Sequence, residues 1–295
     1  MVIHLREGYE QSVGATAGSR QTAQLLKSAP FMDMLGRVAC DVASPGGGCG
    51  WYHGVWQYLR LCGLVVTPDL HADFYHQAVV SGNPRPRTLI SGTADYAMLA
   101  ILWPNTRRAA EVSNVTVLDQ CLTPLLISRW YAAELVRSVT TLQGDVLAVH
   151  ASGSYDLIVT DAFVSRFEPG RRGGLLQAWS RMLSPGGRLV TTVRVEPAGA
   201  GGMVQASTEQ AAAFGRRAAA AAERHAHALD VTPREIGERA ERYAVRMRSY
   251  PLASPNALFA ELQEAGFSVV WHEIAETGGE VAPATYLRLV AEKPL

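Results

Sequence analysis

Arg87-Thr-Leu-Ile-Ser-Gly-Thr-Ala-Asp-Tyr96 is the stretch on which the fold turns. Residues 87–91 form a short β-rich apolar run, Gly92 stands directly after it, and a helical stretch follows to about Leu102. A glycine at that junction lets the backbone approach a ligand closely, and the helix behind it points N–H groups at an anion. One glycine is a weak signal, so its meaning depends on the chain to either side.

Downstream, short apolar runs alternate with helical patterns. Strands are predicted at Val115–Asp119, Val139–Leu142, Tyr155–Asp161 and Arg188–Val193. Helices are predicted from the cap Thr123-Pro124 to about Val136 and from Arg172 to Met182. Ser184-Pro-Gly-Gly187 reads as a turn, and Ser254-Pro255 caps a helix that stops at Gly266. Phe267–Trp271 and Tyr286–Ala291, separated by the turn-rich Thr277-Gly-Gly-Glu, read as a closing hairpin with one antiparallel edge strand. Strand–helix–strand alternation requires crossovers and therefore parallel pairing. The fold class is α/β, a doubly wound, mostly parallel, seven-stranded Rossmann-like sheet. Such sheets bind ligands outside the carboxyl ends of their strands, at the point where strand order reverses.

One block departs from the alternation. Gly201 to Arg248 is nearly all helical, with an Ala-rich stretch at 218–222 and a capping box, Thr232-Pro-Arg-Glu235. It reads as two helices inserted after strand five, either a lid at the ligand end of the sheet or a surface hairpin that only packs.

Upstream of the linker Ser81-Gly-Asn-Pro-Arg-Pro86 the chain reads as helical. Residues 1–16 lack periodicity and read as an arm. Residues 18–42 are helical, with Pro30 expected to break or kink the run. Ser44 to Gly50 is a loop, Trp51–Leu61 a helix stopped by Gly63, and Thr67-Pro68 caps a helix to about Val80. The expected organisation is an N-terminal helical cap and arm, 1–84, and a sheet domain, 85–295, with its helical insertion at about 201–248.

Composition narrows the partners. The 27 basic and 27 acidic residues balance, which supplies no overall basic face for nucleic acid. No apolar run is long enough to span a bilayer and no basic-then-apolar signal segment opens the chain, so a cytoplasmic protein with no membrane partner is expected. Lysine occurs only at 27 and 293 among many arginines and alanines, the bias of a GC-rich bacterial genome. The cysteines at 40, 49, 62 and 121 include no C-x-x-C pair, so no metal site is expected.

Three acids fall at successive strand ends. Asp119 ends strand two, where a carboxylate accepts both hydroxyls of a ribose. Gly144-Asp145 follows strand three, where a carboxylate accepts from an adenine amino group. Asp161 ends strand four. Each alone is as readily a solvated loop charge, whereas the set points to a site.

The order of elements resembles class I S-adenosylmethionine-dependent methyltransferases. The matching stretches are Leu89-Ile-Ser-Gly-Thr-Ala-Asp95, Val117-Leu-Asp119, Gln143-Gly-Asp-Val146, Tyr155-Asp-Leu-Ile-Val-Thr-Asp161, Leu183-Ser-Pro-Gly-Gly-Arg-Leu-Val190 and Glu264-Ala-Gly-Phe267. The resemblance covers about residues 85–295 without the insertion. It implies S-adenosylmethionine as cofactor, with Gly92 beneath its methionine part and Asp119 at its ribose. It places Asp145 and Val146 at the adenine and Asp161 near the methionine amino group or the substrate. Ser91, Ala94, Gln120 and Ala162 adjoin these positions and complete the implied set. The family's first turn is richer in glycine and preceded by an acid. Here Ile90 stands in the acid's place and Ala94 and Tyr96 in those of the later glycines, with Asp95 as a compensating partner for the cofactor's ammonium group.

The N-terminal region resembles the helical cap of small-molecule methyltransferases. Tyr52 and Trp56 belong to an aromatic run, Trp51 to Arg60, that can wall a substrate site and shield a sulfonium by cation–π contact. The plainer reading is a helix-packing seam or a homodimer interface. His53 is the candidate general base, though a lone histidine is more often structural. Arg166, Arg194, Arg246 and Tyr250 are candidates for an acidic substrate, against the commoner fate of surface ion pairing.

The function expected is methyl transfer to an oxygen, nitrogen or carbon of a small-molecule acceptor, with bacterial secondary metabolism suggested by fold analogy alone. The alternative keeps the fold without methyl transfer, as a cyclase, isomerase or binding partner. A nicotinamide-dependent oxidoreductase ranks below both, because G-x-G-x-x-G and Tyr-x-x-x-Lys are absent.

Overall fold

The computed structural model describes residues 4–41, 48–80, 86–103, 114–196, 202–277 and 284–295. The linker 81–85 and the hairpin turn 278–283 lie outside the described residues. The chain forms two compact units, Met1–Leu64 with Thr208–Tyr243, and Val65–Ser207 with Ala244–Leu295. They divide at Leu64/Val65 rather than at 84/85, and the inserted helices group with the N-terminal ones.

The second unit is built on one seven-stranded sheet. Its strands are β1 (Arg87–Ser91), β2 (Asn114–Asp119), β3 (Thr140–Gln143), β4 (Tyr155–Asp161), β5 (Leu183–Val195), β6 (Ser268–Thr277) and β7 (Ala284–Glu292). The order is β3-β2-β1-β4-β5-β7-β6. Strands β1 to β5 pair in parallel, and β7 is antiparallel to both β5 and β6. The antiparallel strand is therefore interior and β6 is the edge, which corrects the expected antiparallel edge. Strand order reverses between β1 and β4, so the crevice for a ligand opens beside Ser91 and Asp161.

The helices of this unit are α3 (Ala72–Val80), α4 (Ala97–Leu102), α5 (Leu122–Glu134), α6 (Pro169–Met182) and α9 (Pro255–Glu264). Two expected caps shift. Pro68–His71 is a separate 3-10 turn before α3, and Cys121 rather than Thr123 precedes α5. Ser184–Gly187 is no break between elements: β5 is continuous, and its register against β4 jumps from Tyr155↔Leu183 to Leu157↔Arg188. Leu89, Ile158, Leu175, Trp179, Leu189 and Leu287 are fully buried in the core, as expected where helices cover a parallel sheet. Trp179 donates its Nε1–H to Ser91 Oγ at 2.9 Å, which fixes the end of β1.

The first unit is helical, with α1 (His4–Leu35), a π-helix (Gly36–Asp41), α2 (Gly50–Leu61), α7 (Thr208–Ala222) and most of α8 (Pro233–Arg246). Residues 4–16 are helix, not an arm, and α1 runs through Pro30 without a break. Buried Tyr58 donates to Asp230 Oδ1 at 2.7 Å, and Arg239 pairs with Asp33 at 2.9 Å. The predicted capping box is present: Glu235 N–H donates to Thr232 Oγ1 and Thr232 N–H to Glu235 Oε2.

Helices α7 and α8 meet backbone to backbone. A Cβ on Gly215 would lie 2.8 Å from the Gly237 carbonyl, and one on Gly237 would lie 2.8 Å from the Gly215 carbonyl. The nearest atom a methyl would have to displace at either position is main chain. Gly215→Ala is expected to cost about 1–3 kcal/mol, read as a lower urea midpoint with unchanged slope. An unaltered midpoint would mean that the two helices separate freely. Among the described residues, no helix is long and apolar enough to cross a membrane.

Candidate functional site

The carboxyl ends of β1, β2 and β3 form one continuous surface. Asp119, half-buried at the end of β2, ties it together: Oδ2 accepts the Thr93 N–H at 3.0 Å and Oδ1 the Cys121 N–H at 2.8 Å. The Gly144 N–H donates to the Asp119 carbonyl at 3.0 Å, and Gln143 Nε2 donates to the Gln120 carbonyl at 3.1 Å. Asp145 Oδ1 accepts the Leu147 N–H at 3.0 Å, and Val146 is buried beside it. Asp95 is buried, and its Oδ1 accepts the N–H of Ala97, the first residue of α4, at 2.7 Å. Ala94 lies half-buried in the same turn.

Gly92 is the pivot of this surface. Its φ of +67° is a conformation that other residues reach only at a cost. A Cβ there would lie 2.3 Å from Cε2 of Phe163, whose ring covers the glycine. Phe163 also meets Phe167 edge-on and lies against Trp179. No sequence pattern announces a ring from the β4 loop standing over the β1 turn.

Beyond the ends of β4, β5 and β7 lies a second group of side chains. Asp161 Oδ1 accepts hydrogen bonds from Thr192 Oγ1 at 2.6 Å and from Tyr75 Oη at 2.9 Å. Tyr75 Oη also lies 2.9 Å from the Thr160 carbonyl. Among the described residues, Oδ2 of Asp161 has no hydrogen-bond partner. Burial pushes its pKa up to about 6, helped by the charge of Asp69, while the Thr192 and Tyr75 hydroxyls oppose the rise. The next residue, Ala162, has φ +51°, a strained left-handed conformation for a non-glycine, held by its N–H to Thr192 Oγ1 at 3.1 Å.

Tyr286, buried at the start of β7, has its pKa raised by burial and by the charge of Asp161. Its ring lies 5.2 Å from that of His71, which is fully buried. The Arg288 Nε–H donates to His71 Nδ1 at 3.3 Å, which puts the histidine's own proton on Nε2. Burial, with Arg288, lowers the His71 pKa to about 4, so the ring is neutral at pH 7. Among the described residues, Nε2 has no hydrogen-bond partner. The arrangement offers a carboxylate able to take a proton near neutrality and a neutral imidazole able to donate a hydrogen bond. Tyr75, Thr192, His71 and Tyr286 have no local motif; they lie 31 to 125 residues from Asp161 in sequence and meet only through the topology.

The other candidates fall apart into two groups. Exposed Arg166 donates to the Arg248 carbonyl at 2.8 Å. Arg194 pairs with Glu196 at 3.6 Å, and its N–H reaches Ser165 Oγ at 3.2 Å. The Tyr250 hydroxyl donates to Glu168 at 3.1 Å, and Arg246 is exposed at the end of α8. These are mostly the surface pairings that arginine ordinarily makes. His53, Tyr52 and Trp56 belong to the helical unit. Tyr52 stacks on Trp56 at 5.1 Å and lies 5.6 Å from Tyr243, with Trp51 and Phe214 also around Tyr243. The aromatic run is thus a helix-packing seam. His53 is buried with its ring 4.9 Å from Tyr52.

No protein-family model matches the sequence, and no curated protein matches it. Solved structures do match in shape. An S-adenosylmethionine-dependent methyltransferase from Methanosarcina mazei is 13% identical with a TM-score of 0.52, over 79% of this chain and 100% of that one. The glycopeptide N-methyltransferase MtfA, complexed with S-adenosylhomocysteine, is 16% identical with a TM-score of 0.52, over 78% and 92%. The N-methyltransferase NodS from Bradyrhizobium japonicum, also with S-adenosylhomocysteine, is 16% identical with a TM-score of 0.50, over 83% and 99%. In strand order and in these likenesses, the chain has the fold of the class I S-adenosylmethionine-dependent methyltransferases.

Proposed function

We propose that this protein transfers a methyl group from S-adenosylmethionine to an oxygen, nitrogen or carbon of a small-molecule acceptor. The observation that carries the reading is the half-buried Asp161 at the strand-order reversal, held by the Tyr75 and Thr192 hydroxyls with its pKa raised, beside the Gly92–Asp119 surface. The cofactor would supply an electrophilic methyl bound to sulfur.

The residues fit its adenosine half. Asp119 has two oxygens already aligned by main-chain N–H groups, in the place where a carboxylate would meet ribose hydroxyls, and Asp145 with Val146 follows in register beside it. Ser91, Gln120 and Ala162 border the same surface. Over Gly92 the Phe163 ring stands in the approach, so binding there requires the ring to turn away. Asp161 Oδ2 takes the proton of an acceptor N–H or O–H, Tyr75 and Thr192 hold the carboxylate, and His71 and Tyr286 border the acceptor. On this reading Asp161, rather than His53, is the base. The arginines 166, 194 and 246, with Tyr250, remain candidates for orienting an acidic acceptor at the rim.

The Phe163 ring over Gly92 also favours a second reading, in which the fold persists without methyl transfer. Calorimetric titration with S-adenosylmethionine and S-adenosylhomocysteine separates the two. Micromolar binding of both is expected, weakened roughly 10- to 100-fold in Asp119→Ala, which loses charged hydrogen bonds to the ribose. Absence of binding to either compound by folded wild-type protein would sink the first reading and leave the fold.

A further inference from the structure

The helical unit holds a cluster that the sheet unit's chemistry does not use. The thiols of Cys40 and Cys49 and the imidazole of His53 bring their ligating atoms within 4.8 Å of one another. Cys40 and His53 are buried and Cys49 half-buried. We propose that these three residues bind a thiophilic divalent cation of the zinc class, clamping the end of the first helical run to the start of α2.

Local structure explains the convergence. Cys49 is the N-cap of α2, and His53 follows four residues later, so both side chains lie on one helix face. Cys40 comes from the π-helix Gly36–Asp41, a rare conformation concentrated at functional sites. A glycine lets that segment lie directly on α2: a Cβ on Gly36 would meet the Gly54 nitrogen at 3.1 Å.

The distances suit a tetrahedral ion. Bond lengths of about 2.3 Å to sulfur and 2.0–2.1 Å to nitrogen require about 3.8 Å between sulfurs and about 3.5 Å between sulfur and nitrogen. Contraction from the upper bound of 4.8 Å, by at most about 1.0 Å between sulfurs and about 1.3 Å between sulfur and nitrogen, reaches that geometry. Two thiolates and a neutral imidazole are the soft, mixed donor set that selects zinc over magnesium or calcium. Binding replaces two S–H protons by two metal–sulfur bonds, releases both protons to solvent, and leaves the buried cluster neutral overall. A C-x-x-C search misses this set because Cys40 and Cys49 lie nine positions apart in the sequence.

The test uses the full chain, stripped with a chelator under reducing conditions and titrated with Co²⁺, then with Zn²⁺. The expected result is saturation at about one equivalent, with the near-ultraviolet thiolate-to-cobalt band and the strong visible bands of a tetrahedral site. Zn²⁺ should bleach both. Cys40→Ser and Cys49→Ser should each weaken Co²⁺ binding more than about 100-fold, and Cys62→Ser should leave it unchanged. Circular dichroism checks that each variant is folded, and the wild-type spectrum stands without any variant. Three results would overturn the site: no stoichiometric uptake by folded wild type, a cobalt spectrum without the thiolate band, or a band that survives in both Cys40→Ser and Cys49→Ser. Oxidation to a Cys40–Cys49 disulfide in place of metal uptake, seen as a two-proton mass loss, would assign a redox pair instead.

Discussion

Asp161→Asn is expected to slow methyl transfer roughly 100- to 10,000-fold and at the same time to stabilise the protein at pH 7. The two effects share a cause. The folded protein holds the Asp161 proton up to pH about 6, whereas the unfolded chain loses it near the ordinary 3.8. The folded state is thus the better proton binder, and the stability contributed by this group is fully present below pH 4. It is lost as pH rises to about 6, and amounts to about 3 kcal/mol. An asparagine keeps the shape, cannot ionise, and escapes that loss. Urea unfolding between pH 4 and 8 should show the wild type losing stability across pH 4–6 relative to the variant, and a flat difference above. The rate profile should run the other way: wild-type kcat falls below pH about 6 as the base is protonated, and the variant lacks that limb. A variant with wild-type rates but the predicted stability change would reduce Asp161 to a structural acid. Equal stability profiles would remove the buried charge altogether.

Gly92→Ala carries the second large effect. Two costs add at one atom: about 1–2 kcal/mol for an L side chain at φ +67°, and about 1–3 kcal/mol for a methyl driven into the Phe163 ring. Gly92→Ala should therefore unfold at a clearly lower urea concentration than wild type. The double variant Gly92→Ala/Phe163→Ala should avoid the clash but keep the backbone cost, so that the effect of the alanine at 92 shrinks by about half. Phe163→Ala alone answers the functional question. If the ring stands in the cofactor's place, its removal tightens S-adenosylhomocysteine binding several-fold. Weaker binding in Phe163→Ala would mean that the ring packs on the cofactor rather than excluding it.

The parts of the fold legible in the sequence were those with local causes. β1 and β4 fall at Arg87–Ser91 and Tyr155–Asp161 as their apolar runs predict, because interior parallel strands need apolar residues on both faces. The capping box at Thr232–Glu235 is equally local. The first 16 residues show no amphipathic period, and α1 is weakly amphipathic throughout, so its extent had no signal to read. The strand-end acids were visible because the fold fixes where strands end. Their actual bonds were not: Asp145 turns back to accept the Leu147 N–H, and Asp119 spends one bond on each neighbouring loop. The surroundings of Asp161 come from α3, β5 and β7, contacts that the chain path creates and no spacing encodes.

The order β5-β7-β6 sets a timetable for synthesis. β6 leaves the ribosome before β7, yet β7 is its sole neighbour in the sheet, and β5 waits for the same partner. Until residues 284–292 emerge, the nascent chain carries two strand margins that lack the partner they have in the finished sheet. A stalled or truncated chain would therefore be a far better chaperone client than its missing length suggests. Because Tyr286 arrives on that same late segment, the acceptor side of the crevice is completed in the step that closes the sheet.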